Sequence, residues 1–158
     1  MPIHEGHRER MRRQIEMSGM DSLSDVQLLE VALYYVIARG DTNELAHRLL
    51  TRFGTLSGVL EAPRELLLQV EGVGARTADF LKLFIQMERR HLIDRADYDR
   101  ILDTTAKCGQ YLLPYFLGEP EEVVWLLCLD GKCKVLDCQL IHRGAVNSAA
   151  ISVRKFVK

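Results

Sequence analysis

Gly72-Val73-Gly74 stands between two apolar-periodic segments, 66–70 and the run that starts at Ala75, and both segments read as helices. Glycine at these positions permits a turn with positive φ and removes the Cβ that would block close approach. The backbone N–H groups of Val73, Gly74, Ala75 and Arg76 are therefore expected to point outward at the start of a helix, where a phosphate oxygen fits. This spacing is that of a helix-hairpin-helix, and its candidate binding residues are Gly72, Val73, Gly74, Ala75, Arg76 and Thr77. Contacts of this kind hold the sugar-phosphate chain and do not read bases, so the expected partner is DNA bound without sequence preference. The plainer reading of the same residues is a tight interhelical turn with glycine for steric reasons.

Charge limits how strongly such a clamp can hold. The chain has 158 residues with 21 Lys and Arg against 22 Asp and Glu, a formal net charge of -1. Residues 1–93 carry twelve basic against thirteen acidic side chains. Without a broad basic field, DNA binding is expected to be weak and salt-sensitive. Arg8, Arg10, Arg12 and Arg13, set among Glu5, Glu9 and Glu16, make one mildly basic helix that reads as a solvated face.

Metal and thiol chemistry find little support. Cys108, Cys128, Cys133 and Cys138 lack a C-x-x-C spacing, and His4, His7, His47, His91 and His142 are scattered, so no metal ligands are assigned. If Asp130-Gly131 is a two-residue hairpin turn, Cys128 faces Cys133 across a pair whose Cα atoms are about 4.5 Å apart, open to accidental oxidation. No apolar run reaches membrane-spanning length and no signal-peptide core opens the chain, so a cytoplasmic place and no membrane partner are expected.

The elements that must position these residues are mostly helical. Residues 7–19 read as a polar-faced helix, and Ser24 with Gln27 forms a capping box for the next one. Asp41 or Thr42 caps a helix over 44–53 that stops at Gly54, a short turn follows at 56–60, and Pro63 opens 64–70. A long helix runs over 75–90. The division expected is a helical domain at 1–93, a charged linker at 94–103 and an α+β part at 104–158. In that part, 104–117 reads as a helix that tolerates Pro114 only with a kink or an early end at Leu113. The continuously apolar 123–129 reads as a strand buried on both faces, with 134–141 as its hairpin partner and an amphipathic stretch over 148–158. A sheet this small is expected to be incomplete, with unpaired edges that favour a homo-oligomer.

His7-Arg8-Glu9-Arg10, Leu23-Ser24-Asp25 with Leu28-Leu29-Glu30, Asp41-Thr42-Asn43, Arg52-Phe53-Gly54, Glu71-Gly72-Val73-Gly74, Leu129-Asp130-Gly131-Lys132 and the run from His142 to Asn147 together resemble the RadC family, over nearly the whole chain. The resemblance implies a mostly α helix-hairpin-helix domain followed by the N-terminal half of an α+β JAB/MPN (cytidine-deaminase-like) domain, and a link to DNA repair. In the complete family domain it implies zinc, held by a His-x-His-Pro segment and a later Asp that this sequence does not contain. The chain therefore reads as truncated before its metal site, with no cofactor of its own and no complete activity. The resemblance to JAMM-type metalloproteases further implies a general base at the start of the strand after the first helix. Glu122 stands at that point, with Glu121 beside it, and the same pair also reads as exposed carboxylates at a strand entrance.

Two other classes compete. The helical half also resembles the helix-hairpin-helix core of base-excision glycosylases, but Arg76 occupies the place of their Schiff-base Lys, and a guanidinium stays protonated. A protein-protein interaction or scaffold module without DNA binding is the remaining alternative.

Overall fold

The computed structural model describes residues 3–96 and 101–144, with side chains from residue 6 onward. The described residues form seven α-helices and one antiparallel two-stranded sheet. The helices are α1 Ile3–Ser18, α2 Asp25–Tyr34, α3 Thr42–Phe53, α4 Leu56–Glu61, α5 Arg64–Leu67, α6 Ala75–Asp94 and α7 Thr105–Phe116. The strands are β1 Val123–Leu129 and β2 Val135–Arg143, and a single 3-10 turn lies at Met20–Ser22. Two compact units result, Met1–Phe84 and Ile85–Lys158. Part of the expected linker, 97–100, the end of the motif beginning at His142, and the amphipathic stretch at 148–158 lie outside the described residues. Among the described residues no helix is long and apolar enough to cross a membrane.

Local chemistry sets the helix ends in the first unit. Ser24 and Gln27 form the capping box of α2: the Gln27 N–H donates to Ser24 Oγ at 3.4 Å and the Ser24 N–H to Gln27 Oε1 at 3.0 Å. Asp41, rather than Thr42, caps α3 by accepting the Glu44 N–H at 3.0 Å. Gly54 ends that helix at φ 84, donating its N–H to Leu50 O. At the C-terminus of α4, Lys82 Nζ donates to the carbonyls of Leu60, Glu61 and Ala62, so an ammonium closes the negative end of the helix. Burial pushes the Lys82 pKa down from its ordinary value.

The core of the first unit is aliphatic. Leu29 and Leu33 of α2 meet Leu45, Ala46 and Leu49 of α3, with Val59, Leu67, Val70, Val73, Ala78 and Leu81 closing around them. Each fully buried Leu contributes about 1.5–3 kcal/mol relative to exposure, so this layer is what fixes the short helices α4 and α5 in place.

The second unit departs from the sequence reading at three points. First, the helix expected over 104–117 forms as Thr105–Phe116, and of the two outcomes allowed for Pro114 the early end at Leu113 does not occur. A proline in the last turn removes one backbone hydrogen bond near a frayed end, and the Thr104 cap on Lys107 N and burial of Tyr111 and Tyr115 hold the helix. Second, the connection is not a two-residue turn, because Leu129 pairs with Val135 and leaves 130–134 as the loop. Asp130 stabilises that wider loop: its Oδ1 accepts the N–H groups of Lys132 at 2.8 Å and Lys134 at 2.9 Å, while Cys133 N donates to Asp130 O. Cys128 consequently lies opposite Asp137 and not Cys133. Third, β1 is half-buried throughout rather than buried on both faces. Trp125, Leu127 and Leu129 pack on Leu102, Tyr111 and Tyr115, and a two-stranded sheet among the described residues gives the other face no second layer.

Cys133 has φ 62, the left-handed region, where an L side chain costs about 1–2 kcal/mol. Cys133→Gly is therefore expected to raise the stability of the chain by about 1 kcal/mol, read as a shift of the thermal midpoint; an unchanged or lower midpoint would show that the loop relaxes the strain in another way.

Candidate functional site

The segment between α5 and α6 is a chain of short backbone turns. Val70 N donates to Leu67 O and Val73 N to Val70 O, both at 3.0 Å, and Gly72 takes φ 93 between them. Val73 then drives its side chain into the core, where 7% remains exposed. The first α6 hydrogen bond is from Ala78 N to Gly74 O at 3.0 Å. The amides of Ala75, Arg76 and Thr77 precede it and have no intrahelical acceptor, as at any helix start.

The six expected binding residues therefore fall into two sets. Gly72, Gly74, Ala75 and Arg76 are exposed, whereas the Val73 and Thr77 side chains are buried. The Val73 N–H is taken by Val70 O, so the donors that remain start after it. The two glycines also differ in kind. A Cβ at Gly72 would lie 3.3 Å from Leu45 Cδ1 and would sit on a positive-φ backbone, whereas a Cβ at Gly74 would meet nothing within 4 Å. Gly72 makes the turn, and Gly74 leaves the approach to α6 open.

Arginines surround this turn. Arg48 Nη1 donates to Glu71 O at 3.1 Å while its Nη2 binds the Glu44 carboxylate. Arg52 Nη2 donates to Gln69 Oε1 at 2.8 Å. Arg64 Nε lies 2.6 Å from Asp79 Oδ1, and that hydrogen bond holds the Asp79 carboxyl below the usual carboxylate range.

A second polar constellation, which the spacing of the sequence does not reveal, occupies a cavity of about 240 Å³ between α1, α2 and the start of α3. Its centre is Glu30, whose side chain is 2% exposed. Tyr34 Oη donates to Glu30 Oε1 at 2.8 Å and Asn43 Nδ2 to Oε2 at 2.9 Å. His7 Nε2 lies 3.0 Å from Oε1, within ion-pair distance but without the alignment of a hydrogen bond. Burial, then the hydrogen bond to Glu30, pushes the Tyr34 pKa far up, so the phenol stays a donor. Arg8 stacks over the Tyr34 ring at 4.6 Å and donates to Ile37 O and Ala38 O, tying α1 to the end of α2. The sequence signal for this network was that His7, Arg8, Glu30 and Asn43 all fall in the motifs quoted above; nothing in their spacing joins them.

In the second unit Glu121 and Glu122 are exposed directly before β1, and Glu122 O accepts the Gly144 N–H at 2.9 Å. Behind them Glu119, 5% exposed, binds Arg89 of α6 and lies 3.0 Å from Arg143 Nη2 of β2. Among the described residues no group of three or more His, Cys, Asp and Glu side chains converges to hold a metal ion, so a zinc site finds no ligand set there.

Over residues 102–158 the chain matches a family described as a RadC-like JAB domain. Curated relatives carrying the name UPF0758 protein are 35% identical in Ectopseudomonas mendocina (strain ymp), 31% in Pseudomonas fluorescens (strain SBW25) and 33% in Azotobacter vinelandii (strain DJ / ATCC BAA-1303). Each similarity runs over 150 residues, 95% of this chain and 67% of the relative. No solved structure matches the chain.

Two stability measurements check this geometry. Gly72→Ala is expected to cost about 1–2 kcal/mol in urea unfolding, and Gly74→Ala less than about 0.5 kcal/mol; equal costs would contradict the different roles given to the two glycines. Glu30→Ala, which strands the Tyr34 and Asn43 donors, is expected to cost about 3 kcal/mol, and a loss below about 1 kcal/mol would mean that water replaces the carboxylate.

Proposed function

Since the chain belongs to the RadC (UPF0758) family, we propose that its first unit is a helix-hairpin-helix that binds the phosphate backbone of DNA weakly and without sequence preference, in a cytoplasmic, DNA repair-associated protein. The observation that carries this reading is the start of α6. A side-chain-free Gly74 with open space at its Cβ position leads directly into the exposed Ala75 and Arg76, whose amides have no helical acceptor. A bound phosphate oxygen accepts those N–H groups and gains from the positive end of a helix that extends from Ala75 to Asp94. Such charge-assisted bonds are worth about 1.5–3 kcal/mol each, which suits a weak, salt-sensitive complex.

In the same reading, residues 102–158 belong to a metal-dependent, hydrolase-like JAB/MPN domain of the family, with Glu122 where a general base stands. The described residues offer no ligand set for zinc beside it, so the reading assigns Glu122 a place and no proton-transfer step. Self-association through strand edges belongs to this reading as well.

The alternative, a protein-docking module, draws support from an apolar cavity of about 230 Å³ in the first unit, lined among others by Met20, Tyr35, Leu60, Leu81 and Phe84.

The test is binding to single-stranded, duplex and branched DNA across a salt series. The expected result is binding to all three that falls as salt rises, and a loss of about tenfold or more in Gly74→Val with its thermal midpoint retained. Absence of binding at low salt, or full binding by Gly74→Val, would overturn the DNA reading.

A further inference from the structure

We infer that the guanidinium groups of Arg52 of α3 and Arg76 of α6 flank the Gly72-Val73-Gly74 turn and add side-chain contacts to the phosphodiester backbone of duplex DNA, beyond the backbone N–H groups already described. The inference rests on the backbone-binding reading above and extends it to an element, α3, that no glycine motif marks.

Several positive charges of the first unit are answered within the fold. Arg64 faces the Asp79 carboxylate, and Arg48 faces that of Glu44. Lys82 is turned onto three backbone carbonyls, and Arg8 onto two carbonyls and the Tyr34 ring. Arg52 and Arg76 differ from these, as do exposed Arg10 and Arg39, which do not adjoin the glycine turn in the sequence. Arg52 is exposed, donates to the neutral amide oxygen of Gln69 and lies 5.8 Å from the centroid of the Phe53 ring, and neither partner cancels its charge. Arg76 is exposed and has no ion pair among the described residues.

Their position follows from helix geometry. Arg48 and Arg52 are one turn apart on the same face of α3. Arg48 reaches Glu71 O, next to Gly72, and Arg52 reaches Gln69, so this face runs alongside the segment that leads into the turn. Arg76 stands on the other side of the turn, in the first turn of α6. Gln69 takes only one of the Arg52 donors and holds the guanidinium in place, leaving the rest of its planar fork for phosphate oxygens. Exposed Glu71, next to Gly72 and near Arg48, limits the local field. A chain of net charge -1 therefore places two cations without a carboxylate partner around the glycine-lined start of α6.

The experiment measures the affinity of the full chain for a DNA duplex between about 50 and 200 mM salt, for wild type, Arg52→Gln, Arg52→Lys, Arg76→Gln and the control Arg12→Gln. Arg12 is exposed on α1 and only 3.9 Å from Glu9. Arg52→Gln and Arg76→Gln are each expected to weaken binding on any duplex sequence and to reduce the salt slope by about one. Arg52→Lys is expected to keep the slope, Arg12→Gln to leave slope and affinity unchanged, and every variant to keep the wild-type thermal midpoint. If wild type binds and Gly74→Val does not, but Arg52→Gln and Arg76→Gln keep the full slope, the inference falls and the proposed function stands. If wild type does not bind duplex at low salt, both fall. A loss confined to single-stranded DNA or to RNA would overturn the assignment to duplex.

Discussion

Val73 has two obligations that can be met in only one way. Its side chain must reach the aliphatic core beside Leu45 and Leu67, and its N–H must pair with Val70 O. The chain meets both by reversing at Gly72 with φ 93, a conformation that costs glycine little and other residues about 1–2 kcal/mol. Once the reversal is set, the next residues have no choice of face. Thr77, Ala78 and Leu81 turn inward with Val73, which places Gly74, Ala75 and Arg76 outside, at the positive end of a twenty-residue helix. The exposed helix start is thus a consequence of core packing.

The same unit contains the opposite arrangement, a carboxylate taken out of water. Burying Glu30 carries a desolvation penalty that only well-placed donors offset; Tyr34 of α2 and Asn43 of α3 donate to it, and His7 of α1 stands within ion-pair distance. An aliphatic core holds helices together with little regard for exact orientation, whereas the directed bonds on Glu30 fix α2 against α3, and Arg8 ties α1 to the end of α2. Because α3 also carries Arg48 and Arg52 past the turn, the polar network and the candidate DNA face share an element.

The second unit uses polar side chains in a similar way on a smaller scale. Asp130 folds five residues around its own carboxylate, and Glu119 draws one arginine from α6 and one from the end of β2 to the entrance of β1. Arg89 also lies 5.7 Å from the Trp125 ring, and Tyr115 meets that ring edge-on at 4.9 Å. The position of Glu122 just ahead of β1 is therefore fixed by backbone pairing with Gly144 and by the ion pairs of Glu119 behind it.

What the sequence determined by itself is local. The capping box at Ser24, the Asp41 cap, the Gly54 stop, the glycine turn before α6 and the two strands all follow from interactions between residues a few positions apart, which spacing displays directly. The family, too, was legible, because its motifs lie along the chain. The tertiary structure decided the rest. Asp130 widened the hairpin loop and so put Cys128 opposite Asp137, Tyr111 and Tyr115 carried α7 through Pro114, and β1 stayed half-buried for want of a second layer among the described residues. Glu30 and Asn43 are thirteen residues apart and Arg52 and Gln69 seventeen, so no helical or strand period joins them. They meet because α2, α3 and the turn before α6 share one buried aliphatic layer, and that layer is a property of the folded chain.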